Sequence, residues 1–139
     1  MNLELSRDEI YNILRRKTYL MEINQLKTQI KRVYLRTLSF LDPLLSGVIS
    51  GFERNDDLGN TNPLIWEFGH VVYFWEHKTI RLLFKDFNKN PLLKKCLLRD
   101  SEALYNSHIV CREERFENKY NLQVILSTYQ NIIEYLINF

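Results

Sequence analysis

The sequence predicts an all-α fold, an antiparallel helical bundle, on three observations. Only four Gly and three Pro occur in 139 residues, so long stretches run without a chain-breaker. Three of those stretches carry wide apolar stripes at helical spacing. Helix-start chemistry precedes each one, at Ser6, at Asn62-Pro63 and at Asn121.

The first helix starts at Ser6, where Ser6 and Glu9 match a capping box. Apolar residues then recur from Ile10 through Ile13, Leu14, Leu20, Ile23, Leu26, Ile30, Val33 and Leu38 to Leu41. Gaps of three and four dominate, the spacing of one helix face. At Asp42-Pro43 the missing N–H of Pro predicts a kink or a new short helix over about 43–51. "GFERNDDLGNTN" reads as a loop. The second helix has Asn62 as N-cap and Pro63 as its first residue, and runs to about Phe84. "PLLKKCLL", residues 91–98, supplies two helical turns. Residues 99–120 form a long connection with one further turn. The last helix spans about 121–138, with Asn121 as N-cap.

Composition narrows the function classes. Hydrophobic residues at 45% and charged residues at 26% fit a soluble globular chain. A net charge of +2 gives no reason to expect a nucleic-acid partner. The "RRK" cluster at residues 15–17 reads as a solvated helix face, since no nucleic-acid motif accompanies it. No apolar run is long enough for a membrane span, and the charged N-terminus lacks a signal peptide. Cys96 and Cys111 form neither a CxxC pair nor a disulfide framework, so a cytoplasmic location with reduced thiols is expected.

"NPLIWEFGHVVYFWEHK" resembles the second helix of the DinB-like domain that opens the sulfoxide synthases of ergothioneine and ovothiol biosynthesis. The ergothioneine-type pattern is S-P-x-K-W-H-L-x-H-T-T-W-F-F-E. Pro63, Trp66, His70, Phe74 and Glu76 fall on its Pro, Trp, second His, first Phe and Glu. The ovothiol-type pattern, H-P-L-I-F-Y-x-G-H-T-A-x-F, matches Pro63, Leu64, Ile65, Gly69 and His70. "ALYNSH", residues 103–108, resembles the family's L-F-N-S-Y segment, and "LQVILSTYQNIIEYL" its third helix, with Tyr129-Gln130 in place of a Tyr-Arg pair. The resemblance covers residues 24–139 of a single domain over 1–139, leaving 1–23 as an N-terminal helical extension.

The resemblance implies a DinB-like bundle and a non-haem Fe(II) held by three His, one from the second helix and two from an H-x-x-x-H on a fourth. It assigns His70 as the first metal ligand. In the full family the reaction is oxygen-dependent C–S bond formation. This sequence departs from the pattern. Its His residues are 70, 77 and 108, with no H-x-x-x-H, and the chain ends where the fourth helix is expected to begin. The implied reading is a truncated or degenerate domain, not catalytic alone, whose C-terminal catalytic domain is missing. A DinB-like metal-dependent thiol transferase is disfavoured by the same absence.

Read from the residues alone, a His on an apolar helix is ordinarily a satisfied core residue. His77 follows His70 by two turns, about 10.5 Å along the axis, too far to share a metal. His108 lies in the connection and is the remaining His that folding can bring to His70. Trp66, Tyr73, Phe74 and Trp75 read as core, with some left to face a partner. Gly69 reads as room for close packing or beside His70. Glu76 reads as a base or a helix-surface charge. No catalytic residue is assigned, and no nucleophile is set up.

Three helices leave a groove for a fourth. Either residues 6–20 break away near Lys17-Thr18 and fold back, or the first helix stays continuous and packs on another chain as a homodimer. The absence of a turn residue between Ser6 and Leu41 favours the homodimer. The competing function class is then a non-catalytic helical interaction module.

Overall fold

The computed structural model describes residues 4–46, 62–117 and 120–139, and among them every regular element is a helix. The first, α1, spans Arg7–Leu45 without a break. Its start is the capping box expected: the Ser6 N–H donates to Glu9 Oε2 at 2.7 Å, and the Glu9 N–H to Ser6 Oγ at 3.2 Å. Pro43 sits inside the last turn of α1, so residues 43–45 belong to this helix and start no new one. The rest of the expected short helix, and the loop of residues 51–61, lie outside the described residues.

The second helix is continuous to Leu83 but changes geometry on the way. It comprises α2 (Leu64–Trp75), a π-helical turn (Glu76–Ile80) and α3 (Arg81–Leu83). Its start corrects the expected N-cap. Pro63, with φ −57° and ψ 138°, is the cap residue, and its carbonyl accepts from the Glu67 N–H at 3.0 Å. The Asn62 side chain instead donates to Glu67 Oε1 at 2.6 Å. Residues 91–98 give one turn rather than two, α4 (Pro91–Lys94), capped by Asn90. The connection holds more than the single turn expected: α5 (Ser101–Tyr105) and a 3₁₀ turn (Glu113–Phe116). The last helix, α6 (Leu122–Asn138), starts as predicted, with Asn121 Oδ1 accepting from the Val124 N–H at 3.0 Å.

The core gathers around α6. Tyr129 is fully buried and meets Tyr34 of α1 and Phe68 and Trp75 of α2, with ring centroids 5.1, 5.9 and 6.2 Å away. Ile125, Ile132 and Ile133 extend that core along α6. Each side chain of this kind contributes about 1.5–3 kcal/mol when fully buried.

Two contacts fix the helix directions. Lys27 Nζ of α1 donates to the carbonyl of Phe139, while Tyr34 lies at Tyr129, so α1 and α6 run antiparallel as expected. Phe84 at the end of the second helix lies beside Tyr135 and Phe139, while Phe68 lies at Tyr129. The second helix and α6 therefore run the same way, a departure from simple antiparallel packing. The long connection makes it possible by carrying the chain back to the end at which α2 began.

Because α6 reaches only to Lys27, the start of α1 projects past it. Every residue from 4 to 22 is exposed. Among the described residues no helix is long and apolar enough to cross a membrane.

Candidate functional site

Residues three and four apart share a helix face, so Trp66, His70 and Tyr73 of α2 and His77 of the π-helical turn line up along the second helix. This face receives α5. A helix of five residues leaves its last carbonyls without partners of its own. Trp66 Nε1 donates to the Leu104 carbonyl at 2.9 Å, and His70 Nδ1 lies 2.6 Å from the Tyr105 carbonyl. Two side chains of α2 thus cap the end of α5.

The His70 contact fixes its tautomer. A carbonyl oxygen only accepts, so Nδ1 carries the proton, and the neutral ring keeps its lone pair on Nε2. The ring stacks on Trp66, 5.1 Å between centroids and 9° between planes. Trp66 is also covered by the Arg115 guanidinium, 4.4 Å from the ring. Arg115 donates in addition to the carbonyls of Ser107 and Val110 and to Asn62 Oδ1. It ties the connection to the start of α2.

Gly69 makes the approach of α5 possible. A Cβ there would stand 2.2–2.8 Å from ring carbons of Tyr105, far inside contact distance. The room beside His70 is therefore filled by Tyr105, whose phenol is pushed up to about 12 by burial. Further along, the Tyr73 hydroxyl donates to Glu102 Oε2 at 2.5 Å. Burial, then Glu102, pushes the Tyr73 phenol up to about 12. His77 is exposed and stacks on Tyr73 at 5.5 Å.

Glu76 corrects the surface reading. It is fully buried at the start of the π-helical turn. Its Oε1 accepts from Arg81 Nε at 2.9 Å and Ser101 Oγ at 3.1 Å, and pairs with Arg81 Nη2 at 2.8 Å. Burial raises its pKa, and Arg81 opposes that shift. Glu76 thereby pins the first residue of α5 to the second helix. Sequence did not raise this role, because a residue five positions on faces Glu76 only where the helix takes a π turn.

A flank of α2 next to the His70 face is open. His70, Val71, Phe74, Trp75 and Lys78 line an open furrow of about 330 Å³. Phe74 is 53% exposed, so the aromatic run splits: Trp66 and Tyr73 are core, Trp75 is half-buried and Phe74 faces outward.

Among the described residues no three His, Cys, Asp or Glu side chains gather where one metal could bind them. His70 offers one nitrogen, while His77 is held on Tyr73. His108 is exposed in a turn, and the connection meets His70 through Tyr105 instead. This set does not fit a three-His iron site. Neither thiol is activated: burial pushes Cys96 up to about 11, and Glu114 raises the exposed Cys111. No family model, curated protein or solved structure matches the chain.

Proposed function

We propose that this chain is a DinB-like helical interaction module that works by docking another polypeptide and is not catalytic alone. The observation that carries the reading is the contrast between two neighbouring flanks of α2. One side is saturated by α5, which takes up Trp66 and the Nδ1 of His70. The other keeps an apolar furrow with Phe74 exposed at its centre. A furrow of this kind takes the apolar stripe of an incoming helix.

A second reading rests on the tautomer of His70. With the proton on Nδ1, Nε2 is the nitrogen free to bind a metal, and the backbone carbonyl at Nδ1 is a common partner for ligating His. In that reading the chain is the N-terminal part of a sulfoxide synthase, cytoplasmic, and a further domain supplies the H-x-x-x-H pair and completes an Fe(II) site. No chemistry is assigned to the chain by itself.

Metal titration tests whether this chain binds metal by itself. Purified protein equilibrated with ferrous iron or zinc is expected to retain less than about 0.2 equivalents, as one imidazole binds weakly without a chelating pair. Oxygen uptake with iron, cysteine and histidine should equal a metal-only blank. Stoichiometric metal that disappears in His70→Ala would overturn the module reading in favour of a metalloprotein.

A further inference from the structure

The first half of α1 and the furrow on α2 are both uncovered apolar surfaces among the described residues. We propose that each fills the other between two copies of this chain: residues 7–22 of one copy lie in the α2 furrow of its partner, and reciprocally. The proposal rests on the module reading and names the polypeptide that docks.

The overhang is helical and has no route back to its own bundle. From Arg7 to Leu45 α1 is one helix, about 58 Å long at 1.5 Å per residue. No Gly or Pro offers a turn between Ser6 and Asp42. The bundle gives out at Lys27, which holds the carbonyl of Phe139 at the end of α6. The described residues of the bundle therefore give residues 7–22 no cover.

These residues carry a face to be covered. Ile10, Ile13, Leu14, Leu20 and Met21 are 45–60% exposed and fall on one side of the helix, with the Lys17 stem between them. The furrow offers Val71 and Phe74, 42% and 53% exposed. The overhang runs about 24 Å and the furrow from His70 to Lys78 roughly 13 Å, so the remaining turns of the overhang lie along the rest of the second helix.

Area points to a sizeable contact. The whole chain exposes 10423 Å². A folded monomer of 16.8 kDa exposes about 7,700 Å². Residues 7–22 contribute to that area because every one is exposed, and a standard interface buries roughly 800 Å² per partner.

A second copy answers both surfaces with one contact. The overhang leaves the bundle at the Phe139 end, where Leu82, Leu83 and Phe139 are 62–74% exposed. Two copies meeting there about a two-fold axis each lay an overhang along the other's α2. A foreign helix in the furrow would leave the overhang bare.

The test uses the full chain and light scattering at micromolar concentration. The expected mass is twice 16.8 kDa. Leu14→Glu and Phe74→Lys should each give a monomer with helical content and cooperative unfolding intact, since both side chains are exposed. An equimolar mixture should regain the dimer. In one contact of the mixed dimer the introduced carboxylate meets the introduced ammonium, while the other contact keeps its native Leu14 and Phe74. A monomeric parent overturns the exchange and leaves the module reading to its separate metal test. A dimer that survives Phe74→Lys overturns the furrow as the docking site. A mixture that stays monomeric, with both variants folded, overturns the pairing of these two surfaces.

Discussion

The first half of α1 and the length of α2 are both helices with an apolar stripe, yet the protein treats them oppositely. Ile65, Trp66, Phe68, Val72 and Tyr73 are buried, whereas every residue of the overhang is exposed. Helical periodicity is present in both. What differs is the neighbour: α2 has α5 on one side and α6 on another, and the overhang lies past the end of α6. An apolar stripe fixes that a helix forms and which face wants cover. It does not say whether the cover comes from the same molecule.

The largest effect that sharpens this contrast is in the shared core. Tyr129→Ala removes the ring that meets Tyr34, Phe68 and Trp75, and should cost about 3–5 kcal/mol in urea unfolding. Leu20→Ala, measured where the chain is monomeric, should stay within about 0.5 kcal/mol of the parent, because Leu20 is 60% exposed and lies outside the core. Equal losses would erase the distinction between the two regions.

A medium effect is expected at Gly69. Ala there gains helix propensity of about 1 kcal/mol, but overpacking against a buried ring costs about 1–3 kcal/mol. The approach to Tyr105 at 2.2 Å makes the second term win, so Gly69→Ala should destabilise. Adding Tyr105→Leu should recover part of the loss. A stabilised Gly69→Ala would mean that α5 does not press on α2 at this point.

The smallest effect is at Glu76. Its pKa is raised by burial, so the folded chain holds the proton more tightly than the unfolded chain. The stability this contributes is present below the ordinary glutamate value of 4.5 and is lost as pH rises through the raised value. Glu76→Gln should flatten the fall in stability over that window. At neutral pH it should lie within about 1 kcal/mol of the parent, since losing the Arg81 pair opposes the relief of burying a charge. An unchanged pH profile would place the titrating group elsewhere.

Local chemistry made part of this fold readable. The Ser6–Glu9 box and the Asn121 cap act within three residues, so both were legible, as was the continuity of α1 in a stretch without Gly or Pro. Long-range choices were not. Nothing beside Gly69 in the sequence names Tyr105 as the ring that needs its space. The docking of His70 on a carbonyl 35 residues away depends on where α5 ends. The π-helical turn left no spacing signal, because a single wider turn shifts the apolar stripe no more than ordinary irregularity does. His70 was singled out by its motif and its apolar surroundings, but its tautomer required the fold.

Amide hydrogen exchange across a dilution series compares the two regions most directly. If a second copy covers the overhang, amides of residues 7–22 should be protected at high protein concentration and lose that protection on dilution, while those of α6 hold theirs throughout. Overhang amides that exchange equally fast at every concentration, or that stay as protected as α6 at every concentration, would contradict the claim that the first half of α1 belongs to a partner's bundle.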